Sequence, residues 1–336
     1  MNYTRKPEPA PDSLVENGRV HFGTFEAPPR NVNPLDAEAP GGIPPGRLMR
    51  RLRLKRWQFY MVTHPEVSFG FIVIDLAFAA SSFFYVYDRA ADRFFEHKRI
   101  KIDRRLDLAD SLYNGRSFFT DSKYEIDIEN RLDSGFHHVR ADIKSSGRTP
   151  GLAADFRLLQ SPEYVRPLVV SLPVGENRGM YSHKVICPAE GSFTFGGNTY
   201  ELDPARDTCV LDEHKALYPR HTYWKWATFG LVDAGGSILG VNMTDNLVRD
   251  QERWNENAVW SGGEVSLLGP ARFEFDPEDV TAPWKIADKE GRVRLDFKPV
   301  GAKIDKTNAL VLKMNYSQPY GLFNGFLTDA SGERHD

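Results

Sequence analysis

From "LKRWQFYMV" onward the chain alternates apolar and polar positions in short runs, among them "YEIDIEN", "FHHVRADIK", "RFEFD" and "RVRLDFKPV", at intervals of about 8 to 12 residues. A period of two places successive side chains on opposite faces of a strand, so each run predicts a strand with one face buried. No segment carries a sustained i, i+3, i+4, i+7 apolar stripe, and the best helical candidate is the short "LVRDQERWNEN". The longest apolar run, "FGFIVIDLAFAASSFFYVYD", is broken by Asp75 and is rich in β-branched and aromatic residues. It predicts two adjacent strands, with Asp88 at the following turn, rather than a membrane span. The chain therefore reads as all-β and antiparallel.

Proline and glycine divide this pattern. Residues 1–48 contain "PEPAPD", "APPRNVNP" and "APGGIPPG", which predict an extended Pro/Gly-rich N-terminal arm. The segment "SPEYVRPLVVSLPVGENRG" ends one set of strands before another begins, and places a domain boundary at about residue 170. Residues 49–170 and 171–336 then hold about eight strands each, enough to close two small barrels whose interiors can take a ligand. No strict repeat relates the halves. At the C-terminal end, "GFLTDASGERHD" stops where a hairpin's return strand is expected.

Composition removes several function classes. A net charge of -3 arises from 43 basic and 46 acidic residues, so bulk electrostatics gives no support to nucleic-acid binding. The N-terminus has no apolar signal core, and no stretch reaches the length of a transmembrane segment, which leaves room for peripheral membrane contact only. Cys187 and Cys209 fit neither a zinc ribbon nor a redox pair and read as free thiols of a cytoplasmic protein. Sequence motifs for Rossmann cofactors, nucleotide hydrolysis, serine hydrolases and zinc proteases are missing, so the expectation is a protein without cofactor or metal.

Chemistry concentrates in residues 211–260, where aromatics, carboxylates, amides and histidines lie on predicted strands. Buried polar groups are costly unless paired, and this density predicts the lining of a ligand cavity. If the turn in "VDAGGS" centres on Ala234 and Gly235, Trp226 lies across from Met243 and Trp224 across from Asp245. Asp245 among two indoles and a thioether is then the first candidate proton donor, because such surroundings favour a neutral acid. A one-residue change of register would exchange this face with Tyr223, Lys225, Asn242 and Thr244. Asn255, Glu256 and Asn257 in "NENAVW" form a second polar cluster, with Glu256 able to move a proton and Trp260 close by. Asp212, His214 and Tyr218 in "LDEHKALYP" suggest general-base work. His183 and Lys184 in "YSHK" read as structural pairing, and the consecutive His137 and His138 point to opposite faces, which disfavours a shared metal.

The ordered segments "LKRWQFYMV", "YSHKVICPAEGSFTFGG", "VLDEHKALYPRHTYWKWATFG", "GVNMTDN", "NENAVW", "PWKI" and "QPYGLFNGFL" resemble a bacterial domain-of-unknown-function family, number 2804, over most of the chain from about residue 50. That family is similar, more distantly, to AttH-like proteins and carotenoid hydratases. The resemblance implies two tandem lipocalin-like β-barrels. It also implies acid-catalysed hydration chemistry, in which a carboxylic acid protonates an isoprenoid double bond and aromatic faces stabilise the cation. The hydratases pair His with Trp and Tyr with Asp on comparable strands. In the matching "WKW" and "MTD", Trp224 stands where His would and Met243 where Tyr would.

Two readings follow. The first is a cofactor-independent lyase or isomerase acting on a lipophilic, isoprenoid-like molecule, with catalytic Asp245, Glu256, Asp212 and His214. Its ligand-binding residues are Tyr223, Trp224, Trp226, Asn242, Met243, Asn255, Asn257 and Trp260. The second is a lipocalin-like carrier of an apolar molecule. Carboxylates buried against tryptophan distinguish the enzyme; an apolar lining with a polar rim distinguishes the carrier.

Overall fold

The computed structural model describes residues 5–102, 106–309 and 312–336. Strands dominate, and the one α-helix among the described residues is Arg47–Arg53. The candidate helix "LVRDQERWNEN" is a chain of turns instead. The Asn246 side chain accepts from Val248 N (3.0 Å), and Gln251 folds back onto the carbonyls of Asn246 and Val248, which competes with helical pairing.

The largest sheet is antiparallel along the path Arg93–Lys101, Ala80–Asp88, Val67–Asp75, Leu54–Thr63, Thr208–Leu217, Arg178–Phe195, Leu152–Leu159, Phe136–Ile143, Tyr124–Arg131 and Gly115–Thr120. It curls into a half-barrel around Phe69, Phe84, Phe119, Phe156 and Phe193. Side chains bring its ends together, with Tyr124 OH donating to His97 O at 3.0 Å. The 18-residue strand Arg178–Phe195 serves both arms of the curl, pairing with Thr208–Leu217 through its first half and with Leu152–Leu159 through its second. Gly191 (φ 119°) makes this crossing feasible, since a Cβ there would lie 2.4 Å from Asp155 O.

Two smaller sheets follow. One runs Trp224–Val232, Ile238–Asn246, Ala258–Ser261 and Glu264–Leu267; the other runs Ala271–Glu274, Trp284–Asp288, Val293–Ala309, Leu312–Thr328 and Arg334–His335. They share a separate core that includes Val241, Met243, Val259, Ile286, Leu295 and Phe297.

The all-β reading and the two strands within "FGFIVIDLAFAASSFFYVYD" agree with these ladders. The partition at residue 170 does not coincide with a break in pairing. Leu54–Thr63 pairs with Thr208–Leu217, and Leu152–Leu159 pairs with Arg178–Phe195, so one sheet carries residues from both sides. The Pro and Gly of "SLPVGENRG", read from the sequence as part of a domain boundary, form a hairpin, Gly175 facing Arg178 across a turn with Asn177 at φ 47°. The N-terminal arm wraps the sheet: Gly23–Phe25 pairs with Leu168–Gly175, and Leu14, Phe25 and Val32 pack on Val169 and Tyr181. A two-residue strand, Arg334–His335, pairs with Leu327 and Thr328.

Candidate active site

Strand Thr208–Leu217 runs through the middle of the large sheet and is buried along its whole length. Alternation sends Glu213 and Lys215 to one face, where their charged ends lie 3.2 Å apart, and Asp212 and His214 to the other. Register then assembles the site: Asp212 lies opposite Lys184 and Phe59, and His214 opposite Ser182 and Trp57. The smaller sheets cover this face and shield the charges from bulk water.

Lys184 Nζ donates to Asp212 Oδ1 and lies 3.2 Å from His214 Nε2. His214 Nε2 is 3.0 Å from the same Asp212 oxygen, and Trp57 Nε1 donates to Asp212 Oδ2 at 3.1 Å. The Trp57 ring stacks on His214 with centroids 4.4 Å apart. Tyr218 OH is 3.3 Å from His214 Nδ1. Ser182 Oγ also lies at Nε2, at 3.1 Å, so serine and carboxylate meet the same ring nitrogen and the arrangement is not that of a serine nucleophile relay.

Glu256 enters from the loop before Ala258–Ser261. Its Oε1 accepts from Asn246 Nδ2 at 3.0 Å, and Asn242 Nδ2 donates to its backbone carbonyl. The other oxygen, Oε2, has no hydrogen-bond partner and sits 3.6 Å from Lys184 Nζ and 3.8 Å from His214 Nε2. Lys184, His214, Asp212 and Glu256 therefore converge, and none of these residues is more than 5% exposed. Burial alone would raise the Asp212 pKa, but His214 and Lys184 hold it well below the usual carboxylate range. Lys184 mirrors this: burial works to lower its pKa, and Asp212 and Glu256 raise it above the ordinary value. Tyr218 is kept a neutral phenol by burial, then by the Glu256 and Asp212 charges.

A space of about 40 Å³ lies against the cluster, and a cavity of about 790 Å³ opens between the large sheet and the smaller ones; Tyr223, Trp224 and Trp226 line both. Trp226 packs edge-on against Phe59 and lies under the Lys184 ammonium at 5.0 Å, with Nε1 donating to Asn242 Oδ1 at 2.6 Å. The cavity is also walled by Phe275, Trp284, Phe297 and Phe323. Among the described residues one group has the spacing for a metal ion, Asp329, Glu333 and His335, but it belongs to the C-terminal hairpin, where Asp329 caps a turn and His335 meets Ser261 Oγ.

The structure brings together Asp212, His214 and Glu256 with Tyr223, Trp224 and Trp226, and places Asn242 behind them. Asp245 is elsewhere. The turn holds five residues, Asp233 to Ser237, with Asp233 Oδ1 accepting from Gly235 N and Ser237 N. Trp224 therefore faces Asn246, Trp226 faces Thr244 and Lys225 faces Asp245, one residue away from the expected register. Asp245 turns to the opposite face and pairs with Lys225 at 2.7 Å, half-buried, while Met243 enters the second core. Asn255 and Asn257 brace the loop, accepting from Asn257 N and Thr244 N, and Trp260 anchors to Arg166 O; none of the three lines either cavity. Lys184, read from the sequence as a structural pairing residue, joins the site, as do Trp57 and Asn246, which were not candidates. A lysine inside the apolar run "HKVICPA" was the legible signal for the first, because a buried ammonium requires carboxylates.

The sequence model of the family described as Domain of unknown function (DUF2804) matches residues 8–336. No curated protein matches the chain by sequence. Among solved structures, an AttH-like protein of Nitrosomonas europaea is 14% identical, covers 74% of this chain and 80% of its own, and has a TM-score of 0.44. Kievitone hydratase from Nectria haematococca is 10% identical, covers 74% and 76%, and has a TM-score of 0.45. Neither likeness bears on the chemistry of this chain.

Proposed function

The chain belongs to the DUF2804 family, and from the geometry of its buried cluster we propose that it is a cofactor-independent acid–base enzyme, a lyase or isomerase of the hydratase type, acting on a lipophilic, isoprenoid-like molecule. One observation carries this reading: Lys184, Asp212, His214 and Glu256 are buried together beside the aromatic wall of a 790 Å³ cavity. A carrier has no use for two buried carboxylates, one of them bonded to tryptophan.

Charge balance assigns the roles. Lys184 and Asp212 form a neutral pair, so one proton shared by His214 and Glu256 keeps the cluster neutral. With that proton on Glu256, the site holds a carboxylic acid and a neutral imidazole whose reacting atoms are 3.8 Å apart. In the hydration direction Glu256 Oε2 gives its proton to one alkene carbon, leaving a cation on the other. The face of Trp226 or Trp224 stabilises that cation. Water adds to it, His214 takes the proton the water loses, and passage of that proton to Glu256 restores the starting state. Dehydration is the same path reversed. Lys184 and Asp212 lie 3.2 and 3.0 Å from His214 Nε2 and position the imidazole, and neither exchanges a proton with the substrate in this scheme. Two free, buried cysteines agree with a cytoplasmic setting.

The test is incubation of the purified protein with isoprenoid alkenes and alcohols in ¹⁸O-labelled water. Wild type is expected to incorporate or release labelled oxygen, and Glu256→Gln and His214→Asn to lose about 100-fold or more of that rate while still binding the compound. The rings of Phe275, Trp284, Phe297 and Phe323 favour a second reading, a carrier. Tight binding by wild type with no turnover of any compound would establish it.

A further inference from the structure

Helix Arg47–Arg53, with sequence RLMRRLR, keeps two large apolar side chains in water, Leu48 at 69% and Leu52 at 44% exposure. They are four residues apart and so lie on one side of the helix. Lys55 Nζ donates to the carbonyls of Leu52 and Leu76 and lies over the Phe78 ring at 4.9 Å, which fastens Phe78, itself 40% exposed, beside the helix end. Around this apolar spot the charge has one sign. Residues 39–65 contain no Asp or Glu and hold Arg47, Arg50, Arg51, Arg53, Lys55 and Arg56, in a chain whose net charge is -3. Arg56 is taken up by Asp75 and Asp110, and Arg47 reaches Asp36 at 3.7 Å. Among the described residues no ion pair engages Arg50, Arg51 or Arg53.

Exposed leucines ringed by arginines are the chemistry of a helix that lies in the interface of an anionic bilayer, the apolar side chains entering the acyl boundary and the guanidinium groups binding phosphates. A protein partner would cover the leucines without requiring this charge, and a nucleic acid would use the charge without the leucines. We propose that the face formed by Leu48, Leu52, Phe78 and the helix arginines docks the protein on an anionic membrane surface. The patch adjoins the buried cluster, since Arg53 O accepts from Tyr218 N at 3.0 Å and the chain continues from the helix to Trp57. Docking does not depend on the proposed reaction, but it would deliver a lipophilic molecule next to the site.

Cosedimentation of the full chain with vesicles tests this. Vesicles of phosphatidylglycerol and phosphatidylcholine are expected to bind the protein, vesicles of phosphatidylcholine alone are not, and binding should fall away at about 0.5 M salt. Arg47→Gln with Arg51→Gln should weaken partitioning at least about tenfold, and Leu48→Ser with Leu52→Ser should do likewise. These side chains are outside the core, and circular dichroism will verify the fold; the lipid and salt comparisons need only wild type. Equal binding to both vesicle types, binding to neither, or wild-type binding by both double variants overturns the proposal. Retention on heparin or DNA without vesicle binding would assign the arginines to a polyanion and overturn it as well.

Discussion

A lysine and an aspartate that face each other across two strands decide most of the site's behaviour. Lys184 and Asp212 are both nearly inaccessible, and each keeps its charge because the other is present. Removing one partner strands the other, so Lys184→Met is expected to cost about 3–5 kcal/mol, read as a fall in the urea midpoint. The same substitution at a solvated pair costs little. Asp245, about a quarter exposed and paired with Lys225, supplies the contrast: Asp245→Asn should cost under about 1 kcal/mol and leave any ¹⁸O exchange unchanged. Loss of exchange in that variant would return Asp245 to the mechanism. At this scale the sequence was partly legible. Asp212 and His214 could be picked out as polar residues in strand-like surroundings and Glu256 as part of a polar loop end before a strand, but pairing partners such as Lys184 and Trp57 are distant in sequence and are joined only by register.

Between elements, two glycines control how closely the sheets approach. Gly230 and Gly240 face each other in the hairpin of residues 224–246, and both abut Ile186 of the long strand Arg178–Phe195. A Cβ on Gly240 would lie 2.4 Å from Ile186 Cδ1 and 2.6 Å from Phe229 O, and Thr208 Oγ1 donates to Gly230 O at 2.9 Å across the same contact. Gly240→Ala therefore has to move backbone as well as side chain, with an expected cost of about 1–3 kcal/mol in thermal or chemical unfolding. Combination with Ile186→Ala should recover only the part due to the side chain. The hairpin also shows where reading an element from its sequence fails. Alternation gave two faces correctly, but "VDAGGS" allows turns of different length, and the Asp233 side chain caps the five-residue form. One added residue moved Asp245 out of the site and Thr244 and Asn246 into it.

Across the whole molecule, a chain of buried amides and imidazoles ties the two arms of the curled sheet together. Gln58, Asn130, His137, Gln160 and His183 hydrogen-bond in succession through the interior. Burial lowers the His137 pKa to about 4, opposed weakly by Gln160, and burial with the neighbouring His137 lowers His183 to about 3. Both rings are neutral in the folded protein where an unfolded chain, with a pKa near 6.5, would already bind protons. The unfolded state thus gains protons first as pH falls below about 6.5. Stability is expected to be full above that value and to decline toward pH 4 and 3, a fall in melting temperature between pH 7 and 5 that His183→Gln should lessen. An unchanged melting temperature over that range would show the rings are not buried in neutral form. The long paired strands Val293–Ala309 and Leu312–Thr328 span the remaining gap, with Lys98 paired to Asp305, Lys303 to Glu96, and Tyr320 stacked on Phe94 at 4.7 Å. Phe94 and Tyr320 wall the large cavity on the side of the first sheet.

Period-two alternation, the absence of a helical stripe and the placing of Pro and Gly determined by themselves that this chain would be antiparallel β with an extended N-terminal arm, because those signals act between near neighbours. The density of polar residues on predicted strands also marked the stretch that holds Asp212, His214 and Glu256, three of the four groups of the buried cluster. Tertiary structure alone decided that strands on both sides of residue 170 would share one sheet, that Lys184 would meet Asp212 and Glu256, and that Asp245 would face away. Each of those outcomes depends on which distant strands pair and in what register, and a shift of one residue reverses every face without altering the local pattern.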